Sequence, residues 1–409
     1  MQKILLVAST TGYQVREFYD AAQSLGVELV LATDRCHILD NPWGDDAAAV
    51  RFEDPSPGVR ALQDRGPFDG VIAVGDRPAK VAAEAAQLLG LAFHPLEAVQ
   101  AAADKFLSRE KFRDADLPVP EFRLVSLSAD PASEAHSTNY PCVLKPLHLS
   151  ASRGVIRADS PPDFVAAFER IRAMLQPLRE SFLLVEDFIP GREFAIEGVV
   201  TTGKLQTLAL FDKPDPLDGP FFEETLYITP SRMPAGSQDR IVGTVQRAIT
   251  ALGLHHGPIH AEVRVNDKGV WMLEAAARPI GGLCARVLKF RCGPTDIGLE
   301  ELLLRHALGQ NVSGAVLSPG AHGVMMIPIP QSGVYRGVAG VEEARAIPGM
   351  ENVTITAKEG QMLVALPEGA SYLGFLFASG AAPADVERDL RLAYSRLKFH
   401  ISAALPVVR

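Results

Sequence analysis

Short apolar runs alternate with amphipathic stretches along the first hundred residues. The run at residues 3–8 has the composition of a buried parallel strand, and a helical pattern separates it from a second apolar run at 27–32. Another strand-to-helix passage covers residues 70–89 and ends at Gly90, a residue typical of helix C-caps. This pattern predicts an N-terminal α/β domain over residues 1–100.

The middle of the chain has a mixed pattern of strands and helices. A helical period over residues 101–115 ends before Pro118 and Pro120, whose rings force the backbone to leave in an extended conformation. Farther along, apolar runs typical of strands are separated by long helical patterns. The predicted strands are 142–145, 182–185, 194–200 and 205–211, and the predicted helices are 162–175 and 240–252. We expect a mixed α+β domain over residues 101–312.

The last quarter of the chain consists of short runs with strand character separated by turns. The runs at 323–329, 353–357 and 363–365 precede an amphipathic helix over 384–397. A β-rich α+β domain over residues 313–409 is therefore predicted.

A β-hairpin is predicted where the chain carries its most informative acidic residues. The strand patterns 260–264 and 271–274 are joined by a polar turn at 266–269. Strand alternation places Glu262 on one face, and Glu274 on the partner strand can share that face. Two carboxylates that converge repel each other unless a cation lies between them. Their pairing predicts a Mg²⁺ site, with Mn²⁺ as the alternative metal.

Basic residues accompany this acidic pair. His260 and Arg264 lie on the same face of the predicted strand, so a network of structural ion pairs is an alternative that stays open. Arg278 follows the second strand and precedes a glycine turn at 281–282, which lets a ligand approach closely. A guanidinium in that position suits a carboxylate or a transferring phosphoryl group.

Lysines and a hydroxyl-rich loop supply candidate phosphate contacts. Lys145 stands at the end of a predicted strand, before a loop that contains Ser152, Arg153 and Gly154. A lysine there can reach phosphate oxygens, and backbone N–H groups of the loop can fold over the anion. Lys105 upstream supplies a second cation. Surface lysines on an exposed loop and a solvated helix face are the alternatives.

An acidic, extended link follows the predicted strand 182–185. The link consists of Glu186, Asp187, Phe188 and Ile189. Its backbone groups can pair with the edge of a purine, and Glu193, beyond the next glycine, could accept hydrogen bonds from ribose hydroxyls. Two surface glutamates that bracket a turn are the alternative.

Charge, cysteine spacing and the length of apolar runs argue against several classes of protein. Lys and Arg total 40 against 49 Asp and Glu, and the formal charge of -9 argues against binding to nucleic acid or to an acidic membrane. The four cysteines, Cys36, Cys142, Cys284 and Cys292, lack metal-site spacing and predict reduced thiols. No stretch approaches the roughly 20 apolar residues that span a bilayer, and the first apolar run is too short for a secretion signal. We expect a soluble, cytoplasmic protein.

Taken in order, these candidate residues resemble the ATP-grasp superfamily. The ordered set comprises Lys105, Lys145, Ser152-Arg153-Gly154, Glu186, Glu193, Glu262, Glu274 and Arg278. Three longer motifs look most like L-amino-acid ligases. They are Lys-Pro-Leu-His-Leu-Ser-Ala-Ser-Arg-Gly-Val at 145–155, Glu-Ala-Ala-Ala-Arg-Pro-Ile-Gly-Gly at 274–282 and Tyr-Leu-Gly-Phe-Leu-Phe-Ala at 372–378. The resemblance extends over nearly the whole chain.

The resemblance implies a three-part architecture and a set of binding roles. A Rossmann-like domain would precede an ATP-grasp domain, whose lid subdomain covers about 120–188, and a C-terminal domain would complete the cleft. The implied contacts are ATP phosphates for Lys105, Lys145 and the 152–154 loop, adenine for the 186–189 link, ribose for Glu193 and Mg²⁺ for Glu262 and Glu274.

The implied activity is that of an acid–amino-acid ligase. ATP would activate a small carboxylate as an acyl phosphate, an amine would displace the phosphate, and Lys145, His260 and Arg278 would be catalytic. The family often carries Glu-x-Asn after the second metal strand, but Ala276 stands here in place of the asparagine. Alternatives are a bicarbonate-using ATP-grasp carboxylase and a non-catalytic nucleotide-binding module. Amino acids are the expected partners, with self-association into a homodimer as a further expectation.

Overall fold

The N-terminal part of the chain folds around a parallel sheet, as predicted. The computed structural model describes residues 1–10, 12, 14–34, 47–293 and 295–403, so Cys36 lies outside the described residues. The elements are β1 (Lys3–Ala8), α1 (Val15–Leu25), β2 (Glu28–Thr33), β3 (Ala48–Ala49), α2 (Ser56–Ala61), β4 (Gly70–Val74) and α3 (Asp76–Leu89). The strand order is β3-β2-β1-β4, with every pair parallel. Helices cover this sheet, and β1 is therefore buried from Ile4 to Ala8.

One predicted helix is wrong in its bounds. The helix expected over 101–115 is two helices, α4 (Leu96–Ala103) and α5 (Lys105–Asp114), which meet at Asp104. Asp104 has extended φ and ψ of -110° and 115°, and its carboxylate accepts hydrogen bonds from the backbone N–H groups of Phe106 and Leu107 at 2.9 and 3.0 Å. An aspartate that caps a new helix in this way ends the preceding one.

The next segment forms a small antiparallel sheet with two helices, and we refer to it as the lid because its range is close to that of the expected lid subdomain. Its elements are β5 (Phe122–Ser126), α6 (Pro131–His136), β6 (Cys142–Pro146), β7 (Ile156–Ala158), α7 (Pro161–Leu175) and β8 (Phe182–Asp187). The strands are ordered β5-β8-β6-β7. Phe164, Phe168 and Ile171 of α7 are fully buried against the sheet and form its core. The sheet therefore holds Lys145 and Glu186 on neighbouring strands.

The chain then builds the centre of the molecule. The elements are β9 (Arg192–Thr201), β10 (Lys204–Lys213), β11 (Leu226–Thr229), α8 (Ala235–Leu252), β12 (Gly257–Asn266), β13 (Gly269–Ala276), β14 (Lys289–Cys292), β15 (Thr295–Gly298), α9 (Leu299–Ala307) and β16 (Val316–Leu317). The hairpin prediction is confirmed, since β12 and β13 pair antiparallel around the turn that follows Asn266. Within the described residues, no helix has the length and apolar character needed to cross a membrane.

The C-terminal part contributes three strands to the central sheet and forms a separate small sheet from three others. Its elements are β17 (Ala321–Ile327), β18 (Gly333–Ala339), α10 (Val341–Arg345), β19 (Met350–Ile355), β20 (Met362–Leu363), β21 (Gly374–Gly380), α11 (Pro383–Arg396) and β22 (Lys398–Ser402). The largest sheet has eight antiparallel strands in the order β13-β12-β9-β10-β11-β17-β21-β19, and the last three of these come from the C-terminal part. The separate small sheet consists of β20, β18 and β22. The strand expected over 363–365 is shorter, because Ala365 instead accepts a hydrogen bond from Gly369 N at 2.9 Å in a turn.

Buried His94 connects the N-terminal part to the centre, and two more histidines stack on each other within the centre. His94 accepts the backbone N–H of His255 at its Nδ1, 3.1 Å away, and its Nε2 lies 2.9 Å from the carbonyl oxygen of Pro258. The rings of His256 and His306 stack with centroids 4.2 Å apart. Burial disfavours the charged ring and lowers the pKa of His94 and of His306 to about 4.

Acid should therefore destabilise the protein through these histidines. Their pKa values lie below the ordinary value of 6.5, so the unfolded chain takes up the protons first when the pH falls. The stability they contribute is complete above pH 6.5 and is lost as the pH falls towards 4, at about 2 kcal/mol per histidine by pH 5. Urea unfolding of His306→Phe, which keeps a stacked ring, should show a smaller loss between pH 7 and pH 5 than the wild type.

The matched control is His400→Phe, because His400 is exposed on β22. That variant should follow the wild type at both pH values. Equal acid sensitivity of His306→Phe and the wild type would contradict the assignment.

Candidate active site

A cavity of about 390 Å³ lies where the three parts of the chain meet, a size within the usual range of ligand sites. The N-terminal sheet contributes the loops that follow β1 and β4, at the carboxyl ends of parallel strands. The lid contributes the end of β6 and the loop after it, and Tyr372 comes from the C-terminal part. The predicted residues that line the cavity are Lys105, Lys145, Ser152, Glu186, Phe188, Ile189, Glu193, His260, Glu262, Glu274 and Arg278.

The hairpin brings its two glutamates together. Glu262 on β12 is the direct cross-strand partner of Glu274 on β13, and both side chains line the cavity. Glu274 lies 3.9 Å from the ammonium of Lys105 and 3.9 Å from the guanidinium of Arg278. The hydroxyl of Tyr227 donates to Glu262 at 3.1 Å. The carboxylates of Glu262 and Glu274 therefore line the same cavity, and the cations Lys105 and Arg278 lie close to Glu274.

Lys213, to which the sequence alone assigned no role, lies among three carboxylates. The buried ammonium of Lys213 contacts Glu193 at 2.5 Å, Glu224 at 2.7 Å and Glu262 at 3.1 Å. Burial alone would favour the neutral amine, but the three carboxylates outweigh it and raise the pKa of Lys213 well above its ordinary value. Burial, together with the neighbouring Glu262, raises the pKa of Glu224 to about 7.

Sheet register explains this cluster. β9 lies between β10 and β12, so that Glu193 stands opposite Lys213 on one side and opposite Arg264 on the other. Arg264 donates to Glu193 at 3.1 Å, so the predicted ion-pair network is present beside the acidic pair. The sequence signal for Lys213 was a strand-end lysine followed by proline, the same pattern as Lys145-Pro146.

Glu186 is held by two cations at the base of the lid. Its carboxylate accepts hydrogen bonds from Arg109, at 2.8 Å from Nε, and from Lys145. Burial alone would favour the neutral acid, but Arg109 and Lys145 outweigh it and lower the pKa of Glu186 to about 2. The sequence did not single out Arg109, because a buried arginine in a helix has no local signature. The pair fixes the ammonium of Lys145 at the cavity wall.

The link after β8 provides an aromatic surface. The guanidinium carbons of Arg157 and Arg264 lie 4.2 and 5.1 Å from the centre of the Phe188 ring, and Phe222 stacks against it at 6.4 Å. The backbone N–H groups of Asp187 and Phe188 are already bonded to carbonyl oxygens of the chain itself. Asp187 is not among the described residues that line the cavity.

The loop after β6 turns one side to the cavity and the other to the C-terminal part. Ser152 lines the cavity with its two preceding neighbours. Arg153 and Gly154 are absent from the described lining, because Arg153 Nε donates to Glu368 O at 2.9 Å and Gly154 N donates to Pro367 O at 2.8 Å. Lys105 donates a hydrogen bond to Leu149 O at 2.6 Å and so holds the start of the same loop.

Two further cations have fixed partners. His260 lies opposite Glu197 in the sheet, and its Nδ1 is 3.1 Å from the glutamate carboxylate. Burial disfavours the charged ring, but the hydrogen bonds with Glu197 and Glu262 outweigh it and raise the pKa of His260 to about 9. Arg278 donates to Asp76 at 2.9 Å, which connects the hairpin to the first turn of α3.

The residues present fit a divalent cation held by two carboxylates. Ala276, the register partner of His260, is 3% exposed and offers only a methyl group where a third ligand would stand. Mg²⁺ accepts this situation, since it keeps several waters and needs few protein ligands. Oxygens of Glu193, Glu224 and Glu262 lie within 4.8 Å of one another, a spacing that could hold a metal ion. The Lys213 ammonium contacts all three carboxylates and already supplies the cation that balances their charge.

The fold and this cavity define a class of protein. Residues 138–287 match the ATP-grasp domain, so this part of the chain has the ATP-grasp fold. Residues 325–402 match the L-amino acid ligase C-terminal domain 2. The expected resemblance is confirmed.

Individual relatives are similar to this chain over different shares of its length. The L-amino acid ligase from Bacillus licheniformis is 25% identical and superposes with a TM-score of 0.82 over 98% of this chain and 99% of that one. Alanine–anticapsin ligase of Bacillus subtilis is 26% identical over 49% of this chain and 46% of its own length. The formate-dependent phosphoribosylglycinamide formyltransferase of Mycolicibacterium gilvum is 28% identical over 85% of both chains. The chain thus spans about half the length of the alanine–anticapsin ligase.

Removing the internal cation should destabilise the fold. Lys213→Met leaves three carboxylates without their shared partner, and we expect the free energy of unfolding to fall by about 3–5 kcal/mol. Urea unfolding followed by circular dichroism measures this change. The double variant Lys213→Met/Glu224→Gln should recover part of the loss, because one negative charge is removed.

Lys204→Met is the matched control, since Lys204 lies at the exposed start of the same strand. Its effect should stay within about 0.5 kcal/mol. A Lys213→Met protein as stable as the wild type would show that the carboxylates do not depend on this ammonium.

Proposed function

We propose that this protein is an ATP-dependent carboxylate–amine ligase, which joins two amino acids or a related small acid and amine through an acyl phosphate. The observation that carries the proposal is that carboxylates and ammonium groups line one cavity. Glu262 and Glu274 pair across the hairpin, Lys105 and Lys145 line the same cavity, and the Lys105 ammonium lies 3.9 Å from Glu274. A triphosphate with its metal ion needs such a site, with anionic ligands for the metal and cations for the phosphate oxygens.

The nucleotide would lie between the lid and the central sheet. Lys105 and Lys145 would contact phosphate oxygens, and the backbone of the loop that contains Ser152 would cover them. The adenine would lie against the 186–189 link, where Phe188 and Ile189 line the cavity. Glu193 would accept hydrogen bonds from the ribose.

Glu262 and Glu274 would hold Mg²⁺, with water at the position that Ala276 leaves free. The bound ion would neutralise charge on the triphosphate. The carboxylate of Glu262 is ready for this role, because Lys213 and His260 outweigh its burial and hold its pKa well below the ordinary value.

The first chemical step would activate the acid. A carboxylate does not react with an amine at neutral pH, because its oxygen leaves poorly. A carboxylate oxygen of the substrate would attack the γ-phosphorus, the bond to the bridging oxygen would break, and ADP would leave with the electron pair. Lys145 and Arg278 would balance the charge on the transferring group. Arg278 is well placed to orient the carboxylate, since Asp76 fixes its guanidinium.

The second step would form the amide bond. The amine lone pair would attack the acyl carbon, the bond to the phosphate oxygen would break, and inorganic phosphate would leave while the nitrogen loses a proton. His260, with its pKa raised to about 9, stays protonated near neutral pH and can donate to the oxyanion together with Arg278. Closure of the lid would keep water from the acyl phosphate.

Amino acids are the favoured substrates. The support comes from the C-terminal domain match and from the L-amino acid ligase that superposes over nearly the whole chain. Glu224 and Tyr227 add acidic and hydroxyl groups to the cavity wall, which suit an amino group. Apolar pockets separate side chains by only about 1–3 kcal/mol per methylene, so several amino acids should be accepted.

A phosphate-release assay tests the function. The protein would be incubated with ATP, Mg²⁺ and pairs of amino acids, with formate and bicarbonate as further acids, and the products weighed by mass spectrometry. Phosphate release that requires both acid and amine, together with a condensed product, supports the ligase. Release that requires bicarbonate would instead indicate a carboxylase, and absence of release with every pair would count against an enzyme of either kind.

Glu274→Gln should lower ligase turnover by about 100-fold or more, the order of loss seen when one charge-stabilising group of an active site is removed. The amide keeps the size of the side chain but loses the negative charge that a metal ligand needs. Steady-state kinetics at saturating ATP and Mg²⁺ measure the change. Glu343→Gln, at an exposed position of α10, is the control and should retain full activity. Full activity of Glu274→Gln would refute the metal assignment.

A further inference from the structure

The lid loop at 150–154 has a backbone conformation that requires outside support. Ala151 and Ser152 both have φ of 55°, in the left-handed region that residues with a side chain avoid. Gly154 has φ of 72°, and a Cβ at this position would lie 2.6 Å from Cγ of Pro146, so only glycine fits. Such backbone persists where surrounding contacts determine it.

One turn of the C-terminal part supplies those contacts. The turn at 365–369 presents two successive carbonyl oxygens to the lid loop. Pro367 O accepts the backbone N–H of Gly154 at 2.8 Å, and Glu368 O accepts Nε of Arg153 at 2.9 Å. Both bonds attach to the side of the loop that faces away from the cavity. The side that faces the cavity remains open to a ligand.

The side chain of Glu368 attaches the same turn to the lid helix. Its carboxylate accepts two hydrogen bonds from Arg170 on α7, one of them 2.8 Å long from Nη2 to Oε2. The Arg170 guanidinium also lies over the ring of Phe221, 5.2 Å from its centre. A surface ion pair alone stabilises little, but a planar pair with two parallel hydrogen bonds fixes direction. The turn at 365–369 therefore forms hydrogen bonds with both the lid loop and α7.

A second loop holds the other flank of the lid. Arg157 N donates to Pro220 O at 2.9 Å, and Arg157 Nη1 donates to Asp218 O at 2.8 Å. This loop ends at Phe222, which stacks on Phe188 at the cavity. The lid thus contacts two segments outside it, the loop at 218–222 and the turn at 365–369. Of these two, the turn at 365–369 contacts the loop that is proposed to cover the phosphates.

We propose that Glu368 is a positioning residue, which holds the lid loop over the cavity and thereby sets the affinity for nucleotide phosphates. The inference rests on the proposed function, because that function makes the lid loop a phosphate contact. Glu368 is not among the described residues that line the cavity. It acts through Arg153, Arg170 and the backbone of the loop.

Glu368→Ala tests the proposal by the pattern of its kinetic effect. We expect the KM for ATP to rise about two- to fivefold, in keeping with the modest strength of an exposed pair. The kcat and the KM values of acid and amine should change less. A merely structural role would lower kcat or thermal stability and would not single out ATP. Glu342→Ala is the matched control, because Glu342 pairs with Arg345 within its own helix.

A second test exchanges the charges of Arg170 and Glu368. Arg170→Glu/Glu368→Arg restores an ion pair of reversed polarity and should return the KM for ATP towards the wild-type value, whereas each single variant should raise it. Failure of the double variant to recover, with each single variant impaired, would overturn the role of the pair.

Trypsin cleavage after Arg153 provides a measurement that does not depend on ligase activity. Cleavage of Glu368→Ala at this position should be about two- to fivefold faster than in the wild type and the Glu342→Ala control. If the wild type binds ATP but forms no amide, the ligase proposal fails while calorimetric ATP affinity still tests Glu368. Unchanged cleavage together with unchanged ATP affinity in Glu368→Ala would overturn the inference itself.

Discussion

The structure depends on pairing buried carboxylates with buried cations. Glu186, Glu193 and Glu197 are almost fully excluded from water, and an ionised carboxyl group in such a place is unstable unless a cation or hydrogen-bond donor lies within reach. Each has such a partner, in Arg109, Arg264 and His260 respectively. These pairs fix the orientation of the cavity wall before any ligand arrives, because moving one member would leave the other uncompensated.

The sequence predicted the structure best where residues close together in the chain determine which strand, helix or turn forms. The hairpin around 266–269 and the parallel strands of the N-terminal sheet follow from local period, turn composition and apolar runs, and each is present. Alternation along β12 also anticipated that Glu262 and Glu274 would share one face. Asp104 escaped notice because its helix-breaking role depends on whether the carboxylate caps the next helix, which the periodicity does not record.

Other parts of the site depend on contacts between distant segments, which have no signature in one stretch of sequence. Lys213 acquires its role only because β10 pairs with β9, and Arg109 only because the fold brings α5 within hydrogen-bond distance of Glu186 on β8. The turn at 365–369 lies more than two hundred residues from the loop it supports. Ala276 was singled out from sequence as a departure from the resembled family, and its burial opposite His260 became apparent only once the register was known.

The eight-stranded sheet has a consequence for how the polypeptide can be divided. β11 has four residues, and its two neighbours in the sheet are β10 and β17, which lies beyond residue 320. A gene fragment that stops before Ala321 would leave the β17 side of β11 with unpaired N–H and C=O groups. Open strand edges of this kind recruit strands from other molecules. The C-terminal segment therefore completes the sheet that carries the cavity, and natural shuffling of this unit would have to preserve an edge strand that matches β11.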